Sequence, residues 1–147
     1  MVLQKVHDSP HIYVIDNYLT EAELVKCEQV IQTSAFEQSF VDNPASSDII
    51  VDTEHRTSTF VSLPKQADSK VAAMERKSAD LLGVSIGQME PLQLVRYRQD
   101  QFFGVHHDLG ILNDDDCSVE LPPKQTFCKR RLATIFCYLN DVSEGGC

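Results

Sequence analysis

The chain has 147 residues, 42% hydrophobic and 24% charged, enough to bury the core of one domain. Its 22 acidic residues against 13 basic give a net charge of −9. That argues against nucleic acid as a partner, because phosphate binding needs clustered Lys and Arg. No stretch approaches the ~18–20 apolar residues of a membrane span, and the N-terminal MVLQKVHDSPHIYVID lacks the continuous apolar run of a secretory signal. The compartment is left open by the sequence: the cytoplasm, or the endoplasmic reticulum if further residues precede Met1.

Residues 11–15, His-Ile-Tyr-Val-Ile, are β-branched and aromatic and predict a strand. Thr20-Glu21-Ala22-Glu23 then forms a helix-capping box. Leu24, Cys27, Val30 and Ile31 follow at helical spacing, so a helix is expected over 20–33. Residues 41–55 are polar, with Pro44, and predict a loop around a weak strand at Ile49-Ile50-Val51. Strand propensity returns over 56–63.

A second helix is expected after Asp68 or Ser69, with Val71, Met74, Ser78, Leu81 and Leu82 as its inner stripe and Gly83 as its C-cap. From residue 91 the helical period disappears. Strands are expected over 91–98, 102–108 and 131–139, the last two joined by a long acidic connection near 111–130. The order is helices first and strands after, an α+β chain with helices on one side of a mainly antiparallel sheet or sandwich.

Five cysteines without a CxxC pair give no zinc framework. Cys27 and Cys137 are expected as buried free thiols. Cys117 and Cys128 bracket the long connection, where a disulfide is the lesser outcome. Lys129-Arg130-Arg131 reads as a solvated strand entry.

The chemistry centres on Gln101-Phe102-Phe103-Gly104-Val105-His106-His107-Asp108. On a strand, side chains two apart share a face, so His106 and Asp108 would point together and His107 away. A His and a carboxylate in that relation, completed by another His, make the facial triad of non-haem Fe(II) oxygenases, which leaves positions open for a cosubstrate and O₂. The triplet alone is common, so its setting matters. Tyr97 stands nine residues before His106. On the strand expected over 131–139, Leu132, Thr134, Phe136 and Tyr138 would line a pocket wall. Ala133, Ile135, Cys137 and Leu139 would face the core.

The ordered motifs closely resemble the catalytic domain of prolyl 4-hydroxylases. They are Leu92-Gln93-Leu94-Val95-Arg96-Tyr97, then Gly104 to Asp108, then Arg131-Leu132-Ala133-Thr134 through Tyr138-Leu139-Asn140, then Glu144-Gly145-Gly146. Arg56-Thr57-Ser58 and the helix opening at Tyr18 to Glu23 add to the likeness, which runs from about residue 11 to Cys147. It implies a double-stranded β-helix (jelly-roll) with N-terminal helices packed on one side. It also implies Fe(II), 2-oxoglutarate as cosubstrate, L-ascorbate, and a proline-containing peptide or protein as substrate. His106 and Asp108 would be iron ligands. Tyr97 would donate its hydroxyl to a cosubstrate carboxylate, with Tyr138 as a further cosubstrate contact on the wall that also carries Thr134. Arg56 would contact substrate or serve a structural ion pair.

One departure stands out: no histidine follows Asp108. The family takes its third ligand, and a Lys or Arg for the distal carboxylate, from strands further on. Residues 1–147 are therefore expected to be a single, C-terminally truncated dioxygenase domain, inactive alone. The competing readings are a non-catalytic peptide-binding module that retains the fold, and a structural zinc site built from His106, Asp108, Cys117 and Cys128.

Overall fold

A computed structural model describes residues 2–42, 49–106 and 131–145. The element order is β1 (Leu3–Asp8), β2 (His11–Ile15), α1 (Glu21–Thr33), β3 (Glu37–Gln38), β4 (Val41–Asp42), β5 (Ile49–Ile50), β6 (Thr59–Ser62), α2 (Ser69–Leu82), a 3-10 turn (Ile86–Gln88) and β7 (Gln93–Arg96). The α+β class is as expected, but strands and helices alternate instead of following one another. Among the described residues the strands form an antiparallel β1–β2 hairpin, a sheet in the order β3-β6-β7, and an antiparallel β4–β5 pair.

The chain divides into two units. The first comprises Met1–Ser34, Ser62–Leu94 and Phe136–Cys147. Here α1 packs on α2, and the core is Cys27, Val30, Leu63, Val71, Met74 and Ala79. Both helices start as the sequence predicts. The Thr20 hydroxyl accepts the Glu23 N–H at 3.4 Å while Glu23 Oε2 accepts the Thr20 N–H at 2.7 Å, closing the capping box. Asp68 Oδ1 accepts the N–H groups of Lys70 and Val71 at 2.8 and 3.0 Å.

Two features of the helix faces differ from the predicted stripes. Leu24 and Ile31 are exposed, and Leu82 too, while Glu23 and Glu75 are buried. Glu23 goes inside because it has a cation to meet: Lys77 Nζ donates to its Oε2 at 2.8 Å and to the Tyr18 carbonyl at 2.6 Å. Glu75 Oε2 accepts the Gln66 N–H at 3.1 Å. Cys27 is buried, and burial pushes its thiol up from the ordinary value, as suits an inert packing residue.

Helix α2 ends at Gly83, whose φ of +67° lies in the left-handed region and whose N–H reaches the Ala79 and Asp80 carbonyls. Nothing lies within 4 Å of where a Cβ would sit. Gly83→Ala therefore tests backbone strain alone. It is expected to cost roughly 1–2 kcal/mol in urea unfolding.

Asp68 gives a pH test of the same helix. The Lys26 ammonium, 2.7 Å away, and the N–H groups of Val71 and Lys70 hold its carboxyl at about 2, below its ordinary 3.8. A depressed carboxyl stabilises the fold above its unfolded value and loses that contribution as pH falls through the folded one. Asp68→Ala is expected to flatten the fall in melting temperature between pH 3.8 and about 2. An unchanged acid slope would count against the cap.

The second unit comprises Ala35–Val61 and Val95–Ile135. Strand β3 pairs with β6, Glu37 opposite Phe60 and Gln38 opposite Thr59. Phe40 and Phe60 meet edge to face at 5.2 Å. Ser39 and Ser58, both fully buried, share a hydroxyl hydrogen bond of 2.9 Å. The strand predicted over 56–63 is shorter, Thr59–Ser62, with an isolated bridge from Arg56 to Phe103.

The strand expected over 131–139 does not form. Residues 131–145 carry no strand, only Ile135 among 131–139 is even half-buried, and Cys137 is exposed. The expected division into a pocket wall and a core face is not realised there. Propensity alone does not make a strand; a ladder partner is also needed, and no described segment pairs with this one. No helix among the described residues is long and apolar enough to cross a membrane.

Candidate functional site

Within the second unit, residues 55–57 hold residues 101–104. The Gly104 N–H donates to the His55 carbonyl at 2.7 Å, and the Thr57 N–H donates to the Phe102 carbonyl at 2.9 Å. The Gln101 side chain donates to the Thr57 carbonyl at 2.7 Å. A Cβ at Gly104 would come 3.4 Å from the His55 carbonyl, so glycine suits this close approach. The strand predicted over 102–108 is here one bridge, at Phe103; His107 and Asp108 lie outside the described residues.

That anchoring gathers three of the residues singled out in the sequence. The Arg56 guanidinium lies 4.4 Å from the centroid of the Phe103 ring. Phe103 stacks on the His106 imidazole, with centroids 3.7 Å apart and planes 20° from parallel. Arg56 is itself fixed, donating from Nη1 to the Phe40 carbonyl and from Nε to the Ser58 hydroxyl, both at 3.2 Å. Burial lowers the guanidinium from its ordinary value; the Tyr97 hydroxyl beside it opposes the shift, and the charge of Arg131 adds to it. Arg56, Tyr97 and His106 thus belong to one cluster with Phe103.

His106 fits the role of a metal ligand in one checkable respect. Its Nδ1 lies 2.8 Å from the Gly104 carbonyl. A carbonyl only accepts, so Nδ1 is the donor, and in a neutral ring Nε2 would be the nitrogen left to a metal. An oriented ring with its other nitrogen bound to a carbonyl is the usual arrangement behind a ligating histidine. The sequence could not name that partner. Among the described residues no group of three or more His, Cys, Asp or Glu side chains comes together. Asp108, Cys117 and Cys128 lie outside the described residues, as does the acidic connection.

Tyr138 belongs to the first unit, where it is exposed and meets Phe136 at 5.2 Å. Also in that unit is a groove lined by Val2, Asp16, Asn17, Tyr18, Thr20 and Lys77. It holds none of the predicted site residues, and its one cation is already paired with Glu23. Phe103, Thr57 and Gln101 were assigned no individual role from the sequence. Thr57 and Phe103 sit inside motifs that were noticed, but no spacing rule signals a contact across 45 residues.

No family model matches the chain. Known proteins do, among them several of Arabidopsis thaliana named prolyl 4-hydroxylase or probable prolyl 4-hydroxylase. The chain is 28% identical to probable prolyl 4-hydroxylase 8 of Arabidopsis thaliana over 144 residues, 98% of this chain and 46% of that protein. It is 26% identical to prolyl 4-hydroxylase 5 of the same plant, over 93% of the chain and 43% of the relative. For probable prolyl 4-hydroxylase 6 the figures are 29%, 94% and 44%. The likeness to the prolyl 4-hydroxylase type read from the motifs is borne out along nearly the whole chain. The chain spans less than half the length of these relatives.

Proposed function

We propose that this chain carries two iron ligands, His106 and Asp108, of an Fe(II)- and 2-oxoglutarate-dependent dioxygenase that hydroxylates a peptidyl proline. The third histidine and the cationic partner of the distal carboxylate lie, on this reading, outside residues 1–147. The whole is one double-stranded β-helix domain with the N-terminal helices on one side. The observation that carries the proposal is the reach of the likeness. A 144-residue match to a probable prolyl 4-hydroxylase runs through Arg56, Tyr97, His106, Asp108 and Tyr138.

The residues have distinct tasks. His106, its Nδ1–H directed to Gly104, presents Nε2 as the neutral ligand, and Asp108 supplies the carboxylate. Tyr97 donates its hydroxyl to a carboxylate of the cosubstrate, and Tyr138 is assigned a further contact to it. Arg56 is assigned a contact to the substrate peptide, and its guanidinium lies over the Phe103 ring. When bound, Fe(II) would let O₂ react with 2-oxoglutarate and the substrate: one oxygen atom would leave in succinate as the keto acid loses CO₂, and the other would turn a C–H bond into C–OH. L-ascorbate serves as reductant. The chain's own contribution is binding, orientation and the exclusion of side reactions.

The test is conversion of 2-oxoglutarate to succinate with Fe(II). A longer protein containing this chain is expected to show it, and to lose it on Asp108→Ala. Residues 1–147 alone are expected to be inactive. Robust turnover by them would refute the placement of the third ligand elsewhere.

A further inference from the structure

We propose that Thr57 is a positioning residue for His106, acting through Phe102 and Phe103; this rests on the reading of His106 as a metal ligand. Both main-chain polar groups of Phe102 end on Thr57. The Thr57 hydroxyl accepts the Phe102 N–H at 2.7 Å and lies 3.1 Å from the Phe102 carbonyl, to which it can donate. The Thr57 N–H meets the same carbonyl at 2.9 Å. Gln101 closes the clamp from the other side, donating to the Thr57 carbonyl. One hydroxyl therefore helps fix the peptide groups on either side of Phe102, and so the direction in which Phe103 leaves the chain.

The consequence reaches the imidazole. Phe103 stacks on His106, and the His106 Nδ1–H is directed to Gly104, whose N–H is bound to His55. Two of the ring's neighbours, Phe103 and Gly104, thus depend on the register between residues 55–57 and 101–104. The Thr57 hydrogen bonds run to Phe102 and Gln101, and its effect on the ring passes through Phe103 and Gly104. Phe102 is exposed, so water can take up a hydrogen bond lost there. Removing the hydroxyl should then cost little stability and much precision, as outer partners of a ligand do when they are changed.

The experiment uses the 147-residue chain, with Co(II) as the probe in place of Fe(II). Readouts are the through-space NMR contact between the Phe103 and His106 rings, the Co(II) affinity from paramagnetic shifts, and the melting temperature. Thr57→Val, nearly isosteric, is expected to lose the ring contact and to weaken Co(II) about 10-fold, the usual scale for an outer partner. Thr57→Ser is expected to restore both. Should Thr57→Val not fold, Gln101→Met loosens the same clamp and is expected to shift both readouts in the same direction.

Retention of both readouts in Thr57→Val, or equal losses in Thr57→Ser, overturns the proposal, as does an unshifted Gln101→Met where that variant stands in. His106→Ala separates the two claims. If it binds Co(II) as tightly as the wild type, the ligand reading falls and with it a role for Thr57 in metal binding.

Discussion

Replacing His106 by alanine, in a longer protein that contains this chain, is expected to lower 2-oxoglutarate turnover by at least about 100-fold, since outer partners of a ligand alone cost 10–100-fold. The same substitution should abolish the metal-dependent rise in melting temperature, because a ligand that binds only the folded state stabilises it. The stability of the metal-free protein should barely change. His106 is exposed, and its contacts to Phe103 and Gly104 are at the surface. His106→Gln is the sharper variant. It keeps a polar side chain of similar reach but lacks the imidazole nitrogen, and it should fail as alanine does. Activity within a few-fold of wild type in either variant would remove His106 from the metal site.

Lys77→Met should give the largest loss of stability, about 2 kcal/mol by urea unfolding at neutral pH, less than for a fully buried ion pair because the Lys77 side chain is 24% exposed. Glu23 is 5% exposed and its Oε2 takes three donors: Lys77, the Thr20 N–H and the Thr20 hydroxyl. Burial pushes the carboxyl up, but the hydrogen bonds from Lys77 and Thr20 together outweigh it and hold it below its ordinary 4.5. A depressed carboxyl contributes stability above its unfolded value, and the contribution disappears as pH falls through the folded value. The wild type should therefore lose stability on acidification below pH 4.5 more steeply than Lys77→Met does. Adding Glu23→Gln to Lys77→Met should recover much of the deficit, because the orphaned charge is then gone. A double variant no more stable than the single would mean that packing of the lysine stem, and not charge, carries the effect.

What the sequence revealed and what it hid follow from the range of each interaction. The starts of α1 and α2 and the end of α2 were legible because each depends on neighbours within a turn: Thr20 with Glu23, Asp68 with Val71, Gly83 with its own φ. The burial of Glu23 was not, since its partner Lys77 is 54 residues away. Strand β1 escaped notice because both faces of Leu3–Asp8 are exposed, so no alternation of apolar and polar residues marks it. The segment 131–139 shows the opposite error, with strand composition but no ladder.

The site divides in the same way. Arg56, Tyr97 and His106 were chosen by residue type and motif order; the structure sets Arg56 and His106 against Phe103, with Tyr97 beside Arg56. The ring stack itself and the Thr57 clamp were invisible, because both depend on a bridge between residues 56 and 103. Strand alternation was the argument for joining His106 to Asp108, and Asp108 lies outside the described residues. The pairing of those two ligands is accordingly part of the proposal.

The most direct measurement of the central claim is product analysis by mass spectrometry. A longer protein containing this chain would be incubated with a proline-rich peptide, Fe(II), 2-oxoglutarate, ascorbate and O₂. The account predicts one added oxygen on proline for each succinate released, with neither product formed when Fe(II) is withheld or His106 is replaced. Peptide binding without any oxygen transfer, in a protein that holds Fe(II), would contradict it.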